Sequence, residues 1–408
     1  MQRTSTTPPW KTLSPSFLLS KYLFKSQTKN LPSSSLGYPL IGETLSFLRA
    51  QKEDRGWDWL EEMFKTSLMG SPTVVIIGQA GNKFVLGAEE DVFAAKQPVT
   101  SKAFSESKIY WNSLVPGARF LSSTNLMDLF SFVTQGALVT FLKPESLQNY
   151  INEMDSLAKT LILRETKEKD TIKAVARSSI AKLILPILRK KREELSSGIL
   201  SPTSDVISCM LALRDENPQP IDDDVIIDNC ITLVIASHDT STILLSLMIR
   251  QLARDPEIYK KVLEDKLTWA EIQKMKYTWR VAQELMRTIP LVFGGFRKAL
   301  KDTSYGVFWS SDGTHMNNDI FENSKVFDPS RFGNPSKPIP PYAYMTFGGG
   351  VHTCLGNEFA KAETLTTIHN LVTMYEWSQL NPEEVITRQP MPYPSMHLPI
   401  KIKPRHLF

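Results

Sequence analysis

The stretch Phe347-Gly348-Gly349-Gly350-Val351-His352-Thr353-Cys354-Leu355-Gly356 constrains this chain more than any other. A single cysteine follows a glycine-rich turn and opens a predicted helix, because Phe359, Ala362, Leu365, Ile368 and Leu371 recur at helical spacing. Glycines admit turns closed to other residues, and amide groups at a helix start favour a thiolate. The spacing therefore predicts a lowered pKa for Cys354 and a soft, anionic metal ligand. With 20 Phe, 19 Gly and 3 Cys in 408 residues, a random match to F-x-x-G-x-x-x-C-x-G has a probability of about 3 in 10,000. The competing reading is a buried, inert cysteine beside a tight turn.

A chain of this length with 42% hydrophobic residues can bury a large core. Its net charge of +4 is spread over both signs, which excludes a basic surface on the scale nucleic acid needs. Cys209, Cys230 and Cys354 are odd in number and lack C-x-x-C spacing, so neither a disulfide framework nor a zinc site is expected, and a reducing compartment fits. No stretch approaches the roughly 20 uninterrupted apolar residues that span a bilayer. The basic run Arg189-Lys190-Lys191-Arg192, followed by Glu193-Glu194, reads as a solvated helix end or as a docking surface for an acidic partner.

Residues 1–42 are basic and rich in Ser and Thr, with no acidic residue before Glu43, as in a transit peptide, a disordered arm or an upstream start site. Pro32, Gly37 and Pro39 make a stiff hinge, so one folded domain is expected over residues 43–408. Thr73–Ile77, between Pro72 and Gly78, reads as a strand, and a helix is expected from about Asn82. Helices are expected over 125–143, 145–165 and 175–195, the last kinked by Pro186.

Asp222 to Arg254 is a long apolar helix pattern interrupted by Ala236-Ser237-His238-Asp239-Thr240-Ser241. Either the hydroxyls bond back to carbonyls one turn earlier, or Asp239 and Thr240 face a cavity and handle protons. Thr268 to Glu271 is a capping box. The next helix, about 277–288, places Glu284 and Arg287 on one face, and Arg331 offers the same carboxylate a second guanidinium.

Taken together, Cys354, Glu284, Arg287, Arg331, Asp239 and Thr240 resemble the cytochrome P-450 superfamily, from its dioxygen-binding helix to the C-terminus. Leu36–Ser46, Thr66–Thr73 and Phe296–Asp302 are similar to the plant branch that oxidises triterpenoids, taxanes and related isoprenoids. The resemblance implies a mainly α fold with small β-sheets. It implies haem b held by Cys354 as axial thiolate, with Phe347, Gly350 and Gly356 shaping the loop and Arg297 and His352 serving a propionate. Asp239 and Thr240 would deliver protons to bound dioxygen, and Glu284, Arg287 and Arg331 would form a buried structural triad. It further implies a monomeric monooxygenase acting on a small apolar terpenoid or sterol-like substrate. Its electrons would come from NADPH through a flavoprotein reductase, at the cytosolic face of the endoplasmic reticulum, with a soluble or plastid-targeted form as the alternative.

Three departures accompany the resemblance. Residues 121–136 lack the family's early propionate contact, the stretch from Lys169 to Arg177 is expected to join two helices where the family has several more, and Asp302 to Phe308 is too short for the usual hairpin. These omissions imply an internally truncated, partly incomplete fold. They keep open a catalytically impaired haem-binding remnant or splice product, beside a reductase-free chemistry on peroxides.

Overall fold

The computed structural model describes residues 43–53, 55–62, 65–68, 71–88, 92–95, 169–214, 219–265, 275–300, 306–310, 315, 317–350, 353–388 and 391–405. The expectations for 1–42, 121–136, 125–143, 145–165, Thr268–Glu271 and His352 fall outside these residues.

A run of β-branched residues, Thr73–Ile77, and the apolar Val307–Trp309 centre a five-stranded sheet in the order β1-β2-β5-β4-β3, formed by Lys65–Leu68 (β1), Ser71–Ile77 (β2), Phe93–Ala95 (β3), Gly295–Ala299 (β4) and Gly306–Ser310 (β5). Only β2 and β5 run parallel; β4 pairs antiparallel with β5 directly, with Arg297 opposite Val307. Helices α1 (Thr44–Lys52) and α2 (Gly56–Glu62) pack on this sheet through Phe47, Trp59 and Leu60. Helix α3 (Gly78–Leu86) follows β2 without a loop. It starts four residues before the expected Asn82, because Gly78, at φ +81°, makes the turn itself.

The remaining helices are α4 (Lys169–Ser196), α5 (Val206–Ala212), α6 (Asp223–Arg254), α7 (Pro256–Glu264), α8 (Lys276–Thr288) and α9 (Asn357–Met374). Residues 169–177, expected to join two helices, are instead the opening turns of α4, since nothing from Lys169 to Arg177 is Gly or Pro. The helix runs on through Pro186, which has no N–H to donate. Small hairpins complete the C-terminal part: Tyr375–Gln379 (β6) pairs Ile400–Pro404 (β9), and Ile386–Arg388 (β7) pairs Pro392–Pro394 (β8).

Helix α6 is the spine. Asp222 caps its start by accepting from Asp224 N, and Asp255 ends it while capping α7 by accepting from Ile258 N at 3.0 Å. Its C-terminal half buries Leu244, Leu247, Met248 and Leu252 against α7, α8 and α9. Its N-terminal half buries Ile226, Ile227, Cys230 and Ile231 against α4 and α5, where Arg177 Nε meets Asp228 Oδ1 at 2.6 Å. Between the two clusters the described residues leave the helix uncovered: Val234 is 59% exposed. Among the described residues α6 alone is long and apolar enough to cross a membrane by length and composition. Both of its ends are occupied by these clusters.

Candidate functional site

The cysteine loop is built by backbone turns. Gly348 and Gly350 have φ of +70° and +62°, a region that costs other L-residues about 1–2 kcal/mol. The Cys354 N–H donates to Phe347 O at 2.8 Å and closes the loop, and the ring of Phe347 stacks on Trp279 with centroids 6.4 Å apart. A Cβ on Gly356 would lie 3.9 Å from the Cys354 sulfur. Residue 354 is exposed, yet the surrounding protein still desolvates the thiol and pushes it above the ordinary cysteine value, against a hydrogen bond from Gly356 N–H. This corrects the expected direction. Helix α9 begins at Asn357 with Gly356 as its cap, and the one hydrogen bond from this cap does not outweigh the desolvation of the sulfur. The thiolate therefore requires a cation of its own.

Among the described residues no cluster of three His, Cys, Asp or Glu side chains could hold a metal. A metal on Cys354 whose other ligands come from a porphyrin is consistent with this. Arg297 supports the same conclusion. Its guanidinium lies 5.9 Å from the centre of the Trp309 ring, Nη1 donates to Phe296 O at 3.0 Å, and its buried Nε has no partner. A half-buried guanidinium whose buried Nε has a spare donor fits a carboxylate such as a propionate.

On α6, Thr240 Oγ1 donates to Ala236 O at 2.7 Å, which leaves its lone pairs free to accept. Asp239 Oδ1 lies 3.0 Å from His238 Nδ1, and both side chains are exposed on the uncovered part of the helix. The next hydroxyl, on buried Ser241, reaches across to Glu363 of α9. Burial pushes the Glu363 carboxyl above its ordinary value, and its Oε2 has no partner. Sequence reasoning did not single out Glu363, because its spacing resembles that of any solvated position on α9.

Glu284, Arg287 and Arg331 are brought together. Arg287 is fully buried and donates to Glu284 through Nε at 2.7 Å and Nη2 at 2.8 Å; Arg331 Nε approaches the same carboxylate at 3.3 Å. The Asp328 N–H adds a bond at 2.8 Å, so α8 is locked to the 3₁₀ turn Pro329–Gly333. Arg287 Nη1 also donates to His315 O at 2.8 Å.

His315 is fully buried, and desolvation with the nearby Arg287 charge lowers its pKa to about 3. The unfolded chain takes up this proton near pH 6.5 and the folded chain does not, so stability falls as pH drops from 6.5 toward 3 and levels off below. Urea midpoints at pH 7 and pH 5 are expected to show a loss of about 2 kcal/mol that His315→Asn lacks. Equal losses in the two proteins would refute the assignment.

The cytochrome P450 family model matches residues 141–404. Beta-amyrin 28-monooxygenase of Medicago truncatula is 31% identical over 460 residues, covering 92% of this chain and 93% of that protein. Taxoid 14-beta-hydroxylase of Taxus cuspidata is 29% identical over 474 residues, covering 95% and 90%. Both alignments are longer than the 408-residue chain, so these relatives carry segments with no counterpart here. In fold, the chain is similar to the retinoic-acid-bound cyanobacterial CYP120A1, with a TM-score of 0.76 and 24% identity over 93% of this chain and all of that one. A family match over residues 141–404, the part of the chain that carries the cysteine loop and the buried triad, makes this protein a member of the cytochrome P450 monooxygenase family.

Proposed function

We propose that residues 43–408 form one haem-thiolate domain that hydroxylates a small apolar terpenoid or sterol-like molecule, with electrons passed from NADPH by a flavoprotein reductase. The observation that carries this reading is the pairing of a loop-held Cys354 with the unsatisfied buried donor of Arg297. Haem, when bound, supplies dioxygen activation and one-electron chemistry. Cys354 would hold it through sulfur, Arg297 would take a propionate, and Phe347 would pack near the sulfur and tune its potential. Thr240, its own proton committed to Ala236 O, presents lone pairs to a protonated oxygen. Asp239, exposed beside His238, exchanges protons with solvent and replenishes that path.

The relatives' named reactions on beta-amyrin and on taxoids support a polycyclic isoprenoid as the substrate class. The expressed 408-residue chain, reduced and exposed to carbon monoxide, is expected to show the absorption of thiolate-ligated haem, and with reductase to oxidise a triterpene from a panel including beta-amyrin. No such band would remove the haem reading. A band without product from any triterpene would favour the impaired remnant. Thr240→Ala is expected to cut product per NADPH about 100-fold while NADPH oxidation continues, with the electrons appearing as hydrogen peroxide. Undiminished coupling would exclude Thr240 from proton delivery.

A further inference from the structure

Helix α3 grips the cysteine loop at two places that the chemistry above leaves unused. Asn82 is fully buried, and its Nδ2 donates to Tyr342 O at 3.0 Å; one turn earlier, Gln79 Nε2 donates to Pro341 O at 2.7 Å. Tyr342 has φ +63°, an uncommon conformation for an aromatic residue and one a free loop abandons. The carbonyl Asn82 holds thus belongs to a residue that needs holding. At the other end of α3, a Cβ added to Gly350 would come within 2.0 Å of Leu86 O, so the loop backbone abuts the helix terminus.

These two anchors bracket residues 341–350. Four residues later comes Cys354, whose N–H closes back on Phe347 O. Helix α3 in turn continues β2, which pairs with β5, which pairs with β4 and its Arg297. The sulfur and the guanidinium are therefore referred to one frame, and Asn82, with Gln79 outside it, joins the loop to that frame.

We propose that Asn82 is a positioning residue for Cys354: by tethering the strained Tyr342 carbonyl to α3, it fixes where the cysteine loop presents its sulfur. This rests on the haem-thiolate reading, but the tether exists in the haem-free chain and can be tested there. Asn82→Leu removes the donor at similar volume, Gln79→Ala removes the outer tether, and Leu60→Val perturbs a core cluster that holds no loop residue.

In haem-free protein, Asn82→Leu is expected to speed hydrogen exchange at the Cys354 N–H about tenfold, the change that corresponds to the loss of one net hydrogen bond from the loop's support. In the reduced, carbon-monoxide-bound protein it is expected to move absorption from the thiolate-ligated to the neutral-thiol position. Gln79→Ala should shift both readings in the same direction by less, and Leu60→Val should shift neither. Unchanged readings in Asn82→Leu, or equal shifts in Leu60→Val, would overturn the proposal. If Asn82→Leu does not fold, Gln79→Ala decides, and no shift in it overturns the proposal. Wild-type protein with no thiolate band would sink the haem reading instead, and exchange at Cys354 would still decide the role of Asn82.

Discussion

Cys354→Ala is expected to lower haem retention at least about tenfold and to abolish the thiolate-type carbon monoxide spectrum, while far-ultraviolet circular dichroism stays that of the parent. The loop does not need the thiol to close: its bonds run from Cys354 N–H to Phe347 O and from Gly348 N–H to Met345 O, and alanine keeps both. The sulfur is raised, not lowered, in affinity for its proton by its surroundings, so in the absence of iron it has no reason to be charged. Iron and thiolate stabilise each other, and removing one removes the other's main partner. Cys354→Ser, which offers a harder and less acidic ligand, is expected to give the same loss of the band. Retention of colour and band in the alanine protein would exclude Cys354 as the ligand.

Glu284→Leu is expected to destabilise the fold by about 3–5 kcal/mol, a large share of the roughly 5–15 kcal/mol typical of a native domain. The carboxylate is fully buried and accepts from Arg287, Arg331 and the Asp328 N–H. Taking it away removes the carboxylate from the guanidinium of Arg287, itself 0% exposed, which also donates to His315 O and Val326 O. Glu284→Gln retains shape and two lone pairs but loses the charge, and should fall between the two. Urea unfolding of the haem-free proteins measures the difference directly; a leucine variant within 1 kcal/mol of the parent would show that this buried charge cluster is not needed for stability.

What could be read before any coordinates follows the range of each interaction. The cysteine loop was legible because its glycines, its thiol and the following helix are neighbours in sequence. Glu284 and Arg287 were legible as a pair because three residues span one helical face, and Arg331 because Asp328-Pro329 announces its turn. Asn82, His315 and Glu363 were not, since each acquires its meaning from a segment far along the chain: Tyr342, Met345 and Ser241 respectively. The direction of the Cys354 shift was misjudged for a related reason. A helix start can be inferred from periodicity, but how far the surrounding protein desolvates the sulfur, against the single bond from the Gly356 cap, is set by the folded loop. The stretch from Lys169 to Arg177 was misread as a connection by comparison with longer sequences, although its own residues contain no breaker.

The two separate clusters that clasp α6 at either end make it a beam supported at its ends. Thr240 is then held in place by supports on either side, not by whatever lies above it. Segments over the open span can be shortened, exchanged or lost in a lineage with little mechanical effect on the hydroxyl beneath. Such an arrangement lets the choice of molecule drift while the oxygen chemistry stays put.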